Sequence, residues 1–335
     1  MRPSFIARLV NSPYGDPGAL VSFAFRKHAI LFDLGDLSTL APAELLKIGQ
    51  AFVTHTHVDH FIGFDHLLRV LLGRDKRLEL YGPPGFLSNL KGKLAAYTWN
   101  LVQNYTAALV IEASEIDDCR QTRQIFDCRT GFAPSVPQKD DIEDHIIHRE
   151  PTYDVRAVAL DHRTPCLAFS LQERFHVNIL KTGLDQMGLP VGPWLARFKE
   201  LLYRQADPAT EVLVPGVRPG EKKRHFTLDA LRHRIARTTR GQKIAYVADA
   251  VYSADNAERI ITLARQADHL FIEAAFLHNE QDVARAKYHL TAHQAGQLAR
   301  RADVAQMTLF HFSPRHAGQA HLLEAEARRA FQYPL

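Results

Sequence analysis

The sequence predicts an α/β fold. Its first third reads as short apolar strands separated by Pro/Gly turns, and its last third alternates apolar strands with amphipathic helices. That alternation is typical of α/β proteins. In addition, several of the predicted strands end on a histidine or an aspartate, and active sites tend to lie on loops at strand ends.

The predicted elements follow the chain in order. A Pro/Gly turn at 188–193 opens a helix near Pro193, where the missing N–H of proline costs nothing. Ser253 or Asp255 is expected to cap a later helix. Residues 119–150 read as polar and irregular with weak strand signals, and 208–220 as a loose segment. Strands are predicted at 4–10, 19–25, 29–32, 78–81, 153–160, 166–171, 243–247, 269–273 and 307–311, and helices at 64–72, 86–104, 255–267 and 291–301.

Composition limits the class of protein. The chain has 335 residues, 46% of them hydrophobic, which is enough for one large domain or two smaller ones. No apolar run approaches the roughly 18 residues of a membrane helix, and the N-terminus lacks a signal-peptide pattern. The three cysteines have no CxxC spacing, so we expect a cytoplasmic protein without structural disulfides. Any metal ligands must then be mainly nitrogen and oxygen, which excludes an iron–sulfur cluster or a four-cysteine zinc site.

The most informative motif is His55-Thr56-His57-Val58-Asp59-His60, which follows the apolar run 51–53. A strand ending there would place His55 and His57 on one side, since strand side chains alternate. Asp59 and His60 would lie on the following turn. The motif therefore offers ligands to two metal ions about 3.5–4 Å apart, the usual separation in a two-metal site. The alternative is a solvated polar turn that happens to be rich in histidine.

Three further predicted strands end on a candidate ligand: His162 after 158–161, Asp249 after 244–248, and His311 after 308–310. Taken singly, each is more often structural than functional. Because all of them share the strand-end position of the histidine motif, coincidence becomes improbable.

The sequence pattern of residues 184–238 differs from that of the strands and helices on either side, and we interpret this segment as an insertion or arm. The segment combines the turn at 188–193 with a helix whose apolar face carries Trp194, Phe198 and Leu201. Such a face is expected to pack on the body of the protein or on a partner subunit. Basic residues then cluster, either to track a phosphate backbone or as a solvated helix face. They are Arg218, Lys222, Lys223, Arg224, Arg232, Arg234, Arg237 and Arg240, against two acids, Glu221 and Asp229.

Together these motifs resemble the metallo-β-lactamase superfamily and, within it, the tRNase Z family. The first motif matches the specific HxHxDH signature of the superfamily. The segment 188–193 resembles the Gly-Pro motif of the tRNA-binding arm. The other similar motifs are Leu160-Asp161-His162-Arg163-Thr164-Pro165, Tyr246-Val247-Ala248-Asp249, His311-Phe312-Ser313-Pro314-Arg315 and Tyr81-Gly82-Pro83-Pro84-Gly85.

The resemblance implies an αββα four-layer sandwich, with a single domain over 1–335 and the inserted arm at 184–238. It also implies two Zn²⁺ ions, although the nitrogen and oxygen ligands would also suit Mn²⁺ or Fe²⁺. Asp33 is either a partner of a ligating histidine or a strand-end cap. The implied first zinc site is His55, His57 and His162, the second is Asp59, His60 and His311, and Asp249 together with a hydroxide bridges them.

The same resemblance assigns the catalytic roles. Asp59 would orient or deprotonate the attacking water, and His289, held by Glu273, would protonate the leaving oxygen. Arg315 would bind a phosphate or form an ordinary ion pair. Contact with RNA falls mainly to Lys222, Lys223 and Arg224.

The expected activity is endonucleolytic cleavage of tRNA precursors at their 3′ ends, or of related RNA, by a homodimer. Some loops depart from the family pattern: Asp36-Leu37-Ser38-Thr39 replaces Glu-Gly-Thr-Gln, and His316 stands where tyrosine is usual. Two alternatives therefore stay open. One is a metal hydrolase of the same fold acting on a small ester, such as a cyclic phosphodiester, a sulfate ester or a lactone. The other is an RNA-binding protein with a vestigial site.

Overall fold

The structure is a computed structural model that describes residues 4–24, 28–216 and 221–333. The chain divides into two compact units. The larger unit comprises Met1–His148, Val155–Leu171 and Lys243–Leu335, and the smaller comprises Arg149–Asp154 and Gln172–Gln242. The arm expected at 184–238 lies inside the smaller unit, whose bounds are wider. Of its basic cluster, Arg218 lies outside the described residues.

The described residues form two large sheets and two antiparallel sheets of two strands each. Their bounds are β1 Phe5–Leu9, β2 Ala19–Phe23, β3 Ala29–Phe32, β4 Ile48–Phe52, β5 Lys76–Gly82, β6 Leu109–Asp117, β7 Arg120–Asp127, β8 Gln138–Asp141, β9 Ile146–Arg149, β10 Tyr153–Asp161, β11 Pro165–Glu173, β12 His176–Ile179, β13 Glu211–Val214, β14 Arg224–Thr227, β15 Ala236–Thr239, β16 Lys243–Val247, β17 His269–Glu273 and β18 Met307–Phe310.

Helices flank these strands. Their bounds are α1 Pro42–Leu45, α2 Val58–Phe61, α3 Phe64–Leu71, α4 Phe86–Ala95, α5 Lys181–Met187, α6 Trp194–Tyr203, α7 Leu228–Ile235, α8 Ala254–Ala264, α9 Gln281–Ala286, α10 Ala292–Arg301 and α11 Ala320–Gln332.

Two sheets form the centre of the larger unit. One runs β1 to β8 in chain order, with parallel pairing from β3 to β6 and antiparallel pairing at both ends. The other has the order β18-β17-β16-β11-β10-β9. The sheets face each other through buried aromatic rings. The Phe32 ring of β3 lies 5.9 Å from Phe169 of β11 and 5.4 Å from Tyr246 of β16, so apolar area is buried between the sheets.

Helices cover the outer face of each sheet. In α3 the side chains of Phe64, Leu67, Leu68 and Leu71 recur at helical spacing and are buried in the core of the first sheet. Helices α8, α10 and α11 supply the corresponding core of the second sheet. A Cβ at Gly296 of α10 would lie 2.2 Å from the carbonyl oxygen of Ala327 in α11. Glycine there allows these two helices to approach closely. The layers are therefore helix, sheet, sheet, helix, as the family resemblance implied.

The smaller unit has its own core. Helices α5, α6 and α7 pack with strands β12 to β15 around buried residues that include Trp194, Phe198 and Leu231. The predicted apolar face of α6 is thus packed within this unit. Pro193 is the N-cap residue of α6, one position before its expected place.

Most predicted elements lie within two or three residues of the observed ones. Ser253 is the N-cap residue of α8, since its side chain accepts a hydrogen bond from the backbone N–H of Asn256. The helix predicted at 86–104 was too long: α4 ends at Ala95. Residues 120–127 were expected to be irregular but form a regular strand on the first sheet. No helix among the described residues is both long and apolar enough to cross a membrane.

Candidate metal centre

The histidine motif lies where β4 leaves the first sheet. His57 has an extended backbone and is the N-cap residue of the short helix α2, whose first turn carries Asp59 and His60. The strand directs His55 inward, where it is 1% exposed, while His57 remains exposed to the cavity and solvent. The motif thus turns from strand to helix within a few residues, which concentrates its four polar side chains.

The distant ligands also lie at strand ends. His162 directly follows β10, and Asp249 is two residues past the end of β16. His311 directly follows β18 and has a left-handed backbone (φ 60°). Together with the motif they form two groups, within each of which the candidate ligand atoms are mutually within 4.8 Å. The groups are His55, His57, His162 and Asp249, and Asp59, His60 and His311. A further group, Asp249, His289 and His311, shares one residue with each of them.

Asp249 is the centre of this arrangement. Its Oδ2 lies 3.4 Å from Nε2 of His162, 3.5 Å from Nε2 of His60 and 3.7 Å from Nε2 of His55. Its Oδ1 lies 3.0 Å from Nε2 of His311. One carboxylate therefore faces imidazoles from both groups, which is the position that a bridging ligand requires.

Two buried atoms test whether metal ions fit here. Nε2 of His55 and Nε2 of His60 are inaccessible to solvent, and neither has a hydrogen-bond partner among the described residues. Leaving such a nitrogen unpaired costs about 1–3 kcal/mol. A divalent ion coordinated by these nitrogens would remove that penalty, so the residues present fit a metal centre.

Hydrogen bonds at the opposite ring nitrogens fix how these histidines are oriented. Nδ1 of His60 lies 3.0 Å from Oδ2 of Asp33, which also accepts a hydrogen bond from the Tyr246 hydroxyl at 3.0 Å. Nδ1 of His162 lies 2.9 Å from the backbone carbonyl of Tyr288. Metal-binding histidines usually donate their second N–H in this way, which leaves Nε2 free for the ion. Asp33 is thus a partner of a candidate ligand rather than only a strand-end cap.

Electrostatics favour cation binding. Burial lowers the pKa of His55 to about 2, so its imidazole is neutral, as a ligand must be. Burial alone would also lower the pKa of His60, but the carboxylates of Asp249 and Asp33 raise it well above its usual value. The centre therefore holds excess negative charge around His60. A bound cation would balance this negative charge as a proton on His60 does.

A second pair lies beside the candidate ligands. Nδ1 of His289 lies 2.9 Å from Oε2 of Glu273, whose other oxygen accepts hydrogen bonds from the backbone N–H groups of Ala250 and Leu290. Glu273 is fully buried. Burial lowers the pKa of His289, but the Glu273 carboxylate outweighs it and raises that pKa to about 9. The imidazole of His289 is therefore protonated at neutral pH.

The candidate ligands open into a cavity of about 370 Å³. Sequence reasoning missed four of the residues that line it, each within two positions of a predicted site residue. The described lining residues are His57, Asp59, His162, Arg163, Thr164, Asp249, Lys287, Tyr288, His289 and His311.

Comparison with known proteins decides the family. No protein-family model matches the chain. The ribonuclease Z of Deinococcus radiodurans is 30% identical over 290 residues, which cover 86% of this chain and 83% of that protein. The chain belongs to the ribonuclease Z family. It is accordingly a metal-dependent hydrolase, as the sequence predicted.

Solved structures of low sequence identity support the fold. The metallo-β-lactamase fold protein YhfI of Bacillus subtilis superimposes with a TM-score of 0.56 at 14% identity, covering 97% of this chain and 92% of that one. The short form of human tRNase Z gives a TM-score of 0.50 at 18% identity, covering 94% and 93%. The metallo-β-lactamase fold of this ribonuclease Z family member is thus confirmed.

The substrate-binding residues expected from the sequence lie elsewhere. Arg315 pairs with Glu280 at 2.9 Å and is not among the described residues that line the cavity. Of the two roles open to it, the structure favours the ion pair. Lys222 and Lys223 are exposed in the smaller unit. Arg224 donates to the carbonyl oxygens of Met187 and Gly188, each at 3.1 Å, and thereby braces the turn that follows α5.

Proposed function

We propose that this ribonuclease Z family member is a two-metal phosphodiesterase that cuts tRNA precursors at their 3′ ends. The observation that carries the proposal is the arrangement around Asp249, where two groups of ligands meet beside a His–Glu pair. We assign two Zn²⁺ ions to the centre, since its donors are imidazole and carboxylate; Mn²⁺ and Fe²⁺ suit the same donors. His55, His57 and His162 would hold one ion, Asp59, His60 and His311 the other, and Asp249 would bridge.

Metal ions bound there would lower the pKa of a water molecule and neutralise charge on the phosphodiester. The protein residues supply orientation and proton transfer. The carboxylate of Asp59 lies at the cavity, with Oδ2 3.6 Å from Nε2 of His60 and 3.8 Å from Nε2 of His311. Because the Asp59 side chain is 34% exposed, it can orient the attacking water and accept its proton.

The leaving group needs a proton when the bond between phosphorus and the 3′-oxygen of the tRNA breaks. His289 lines the cavity, and its Nδ1 is engaged by Glu273, so Nε2 is the nitrogen that can donate. Glu273 keeps the imidazole protonated and in one orientation. His289 then transfers its proton to the departing 3′-oxygen, and the product carries a free 3′-hydroxyl.

The smaller unit supplies the proposed grip on folded RNA. Lys222 and Lys223 are exposed, and a small-ester hydrolase has no need of a basic segment on a separate unit. We assign RNA contact mainly to these two lysines. Arg224 instead stabilises the turn that follows α5. We also propose that the protein is cytoplasmic and that it acts as a homodimer.

The test is a cleavage assay on a 3′-extended tRNA run beside bis-p-nitrophenyl phosphate, with Zn²⁺ and Mn²⁺ added separately to metal-free protein. We expect metal-dependent cleavage of the tRNA at the 3′ end of its acceptor stem. Hydrolysis of bis-p-nitrophenyl phosphate without any cleavage of tRNA would favour the alternative, a hydrolase of a small ester. Binding of tRNA without hydrolysis of either substrate would favour an RNA-binding protein.

A further inference from the structure

Tyr288 stands beside the candidate general acid in an unfavourable backbone conformation. It follows α9 with φ 64°, in the left-handed region that costs residues with a Cβ free energy. Tyr288 is the left-handed residue of the turn that ends α9, in which the N–H of His289 donates to the carbonyl oxygen of Ala284 at 2.9 Å. The carbonyl oxygen of Tyr288 also accepts a hydrogen bond from Nδ1 of His162. Glycine or asparagine would hold that carbonyl with less strain, so the hydrogen bond does not explain the tyrosine side chain.

The ring itself lies at the cavity. Tyr288 lines it and keeps 37% of its surface exposed. The ring centroid lies 6.4 Å from that of His162, at 89° between the planes. An exposed aromatic ring thus lies next to His162, one of the candidate metal ligands.

Cations flank this ring. The guanidinium carbon of Arg163 lies 5.4 Å from the centroid of Tyr288, and Arg163 also has a left-handed backbone, with φ 60°. Lys287 lines the same cavity. The carboxylate of Asp161 accepts a hydrogen bond from the backbone N–H of Arg163 at 2.8 Å. No ion pair is found among the described residues for the side chains of Arg163 and Lys287, which both line the cavity, so both charges can meet an anion. Two unusual backbone conformations therefore place an aromatic ring and two cations around one opening.

Aromatic rings interleaved with cations are the recurring surface for single-stranded nucleic acid, where bases stack on the rings and phosphates contact the cations. We propose that Tyr288 and Arg163 form a nucleotide clamp: an unpaired base next to the scissile phosphate stacks on Tyr288, and Arg163 contacts a flanking phosphate. The inference rests on the proposed function and deepens it. It makes the preferred substrate a phosphodiester with an unpaired base beside the bond that is cut.

The clamp is tested by removing the tyrosine ring and one RNA base, separately and together, and comparing the losses of activity. The substrates are a 3′-extended tRNA and two versions of it with an abasic ribose on one or the other side of the scissile phosphate. The variants are Tyr288→Asn, which tolerates the left-handed backbone, and Tyr288→Phe, which keeps the ring. Tyr333→Asn, an exposed tyrosine (67%) outside the cavity, is the matched control.

We expect Tyr288→Asn to lose about 5- to 150-fold in kcat/KM on the intact tRNA, the range that stacking of one base is worth. One abasic substrate should show a comparable loss with the wild-type enzyme and little further loss with Tyr288→Asn. Tyr333→Asn should behave as the wild type, and Tyr288→Phe, which keeps the ring, should keep the dependence on the same base. Such non-additivity reports a direct contact between ring and base.

Two results would overturn the clamp. Equal losses by Tyr288→Asn on intact and abasic substrates would mean that the ring acts through the fold and not through a base. Full cleavage of both abasic substrates by the wild-type enzyme would mean that no flanking base is read. If the wild-type enzyme hydrolyses bis-p-nitrophenyl phosphate but cuts no tRNA, the proposed function itself has failed, and the clamp with it.

Discussion

His289, which is partly buried, and Glu273, which is fully buried, form a pair in which Nδ1 of the imidazole lies 2.9 Å from Oε2 of the carboxylate. Glu273 is fixed in turn by the backbone N–H groups of Ala250 and Leu290, at 2.7 Å and 3.3 Å. The loop after β16, which carries Asp249, and the loop that carries His289 are therefore held by one carboxylate. This relationship ties the position of the proposed acid to that of the proposed bridging ligand.

The first prediction concerns the acid. His289→Ala should lose on the order of 10²–10⁴-fold in kcat on tRNA, the usual worth of a general acid, with metal content unchanged. Substrates with good leaving groups need no proton, so hydrolysis of bis-p-nitrophenyl phosphate should fall much less. Comparable losses on both substrates, measured under saturating metal, would rule out the acid role.

The second prediction concerns pH. The Glu273 carboxylate raises the pKa of His289. In the proposed mechanism the protonated imidazole is the active form. Glu273→Gln preserves the shape and an acceptor for the backbone N–H groups but removes the charge. The pKa of His289 should fall, and the basic limb of the kcat profile should move to lower pH. A profile that keeps its basic limb in place, at the same metal loading, would show that Glu273 does not control the proton on His289.

The third prediction concerns metal content. Asp249 faces imidazoles of both groups, so Asp249→Ala should reduce bound metal below two ions per chain. Elemental analysis of dialysed protein measures this directly. Asp255→Ala is a matched control because Asp255 is exposed and lies outside the ligand groups. Retention of two ions by Asp249→Ala would contradict the bridging assignment.

The fourth prediction concerns the smaller unit. Neutralising Lys222 and Lys223 should weaken tRNA binding and flatten the slope of log K against log salt by up to roughly 0.9 for each phosphate that the variant no longer neutralises. Arg224 is left intact because it donates to two backbone carbonyls. Lys91→Ala with Lys139→Ala, two exposed lysines of the larger unit, is the charge-matched control. An unchanged salt slope in the Lys222/Lys223 variant would exclude this segment from RNA contact.

The strands and ligands were predictable because they depend on local pattern. Apolar runs that end on His55, Asp249 or His311 indicate both a strand and its functional end, since strand geometry fixes which way consecutive side chains point. Ser253 likewise signalled the start of α8 through its capping chemistry.

Other features depend on tertiary context. Strand β7 has a largely polar sequence and is stabilised by pairing with β6 and β8, which no local pattern shows. The sequence prediction also omitted α11, whose Leu323 and Ala327 are buried in the core of the second sheet. Tyr288 and Arg163 reach the cavity through left-handed backbones, a conformation that is rare for such residues and therefore not expected from sequence.

The most direct measurement is a zinc titration of chelator-stripped protein with cleavage of a 3′-extended tRNA as the readout. We predict no cleavage without metal, a rise in rate with added Zn²⁺ and a plateau at two equivalents per chain, with a product ending at the 3′ end of the acceptor stem in a free 3′-hydroxyl. A plateau at one equivalent, cleavage in the presence of excess chelator, or no specific cleavage at any stoichiometry would contradict the account.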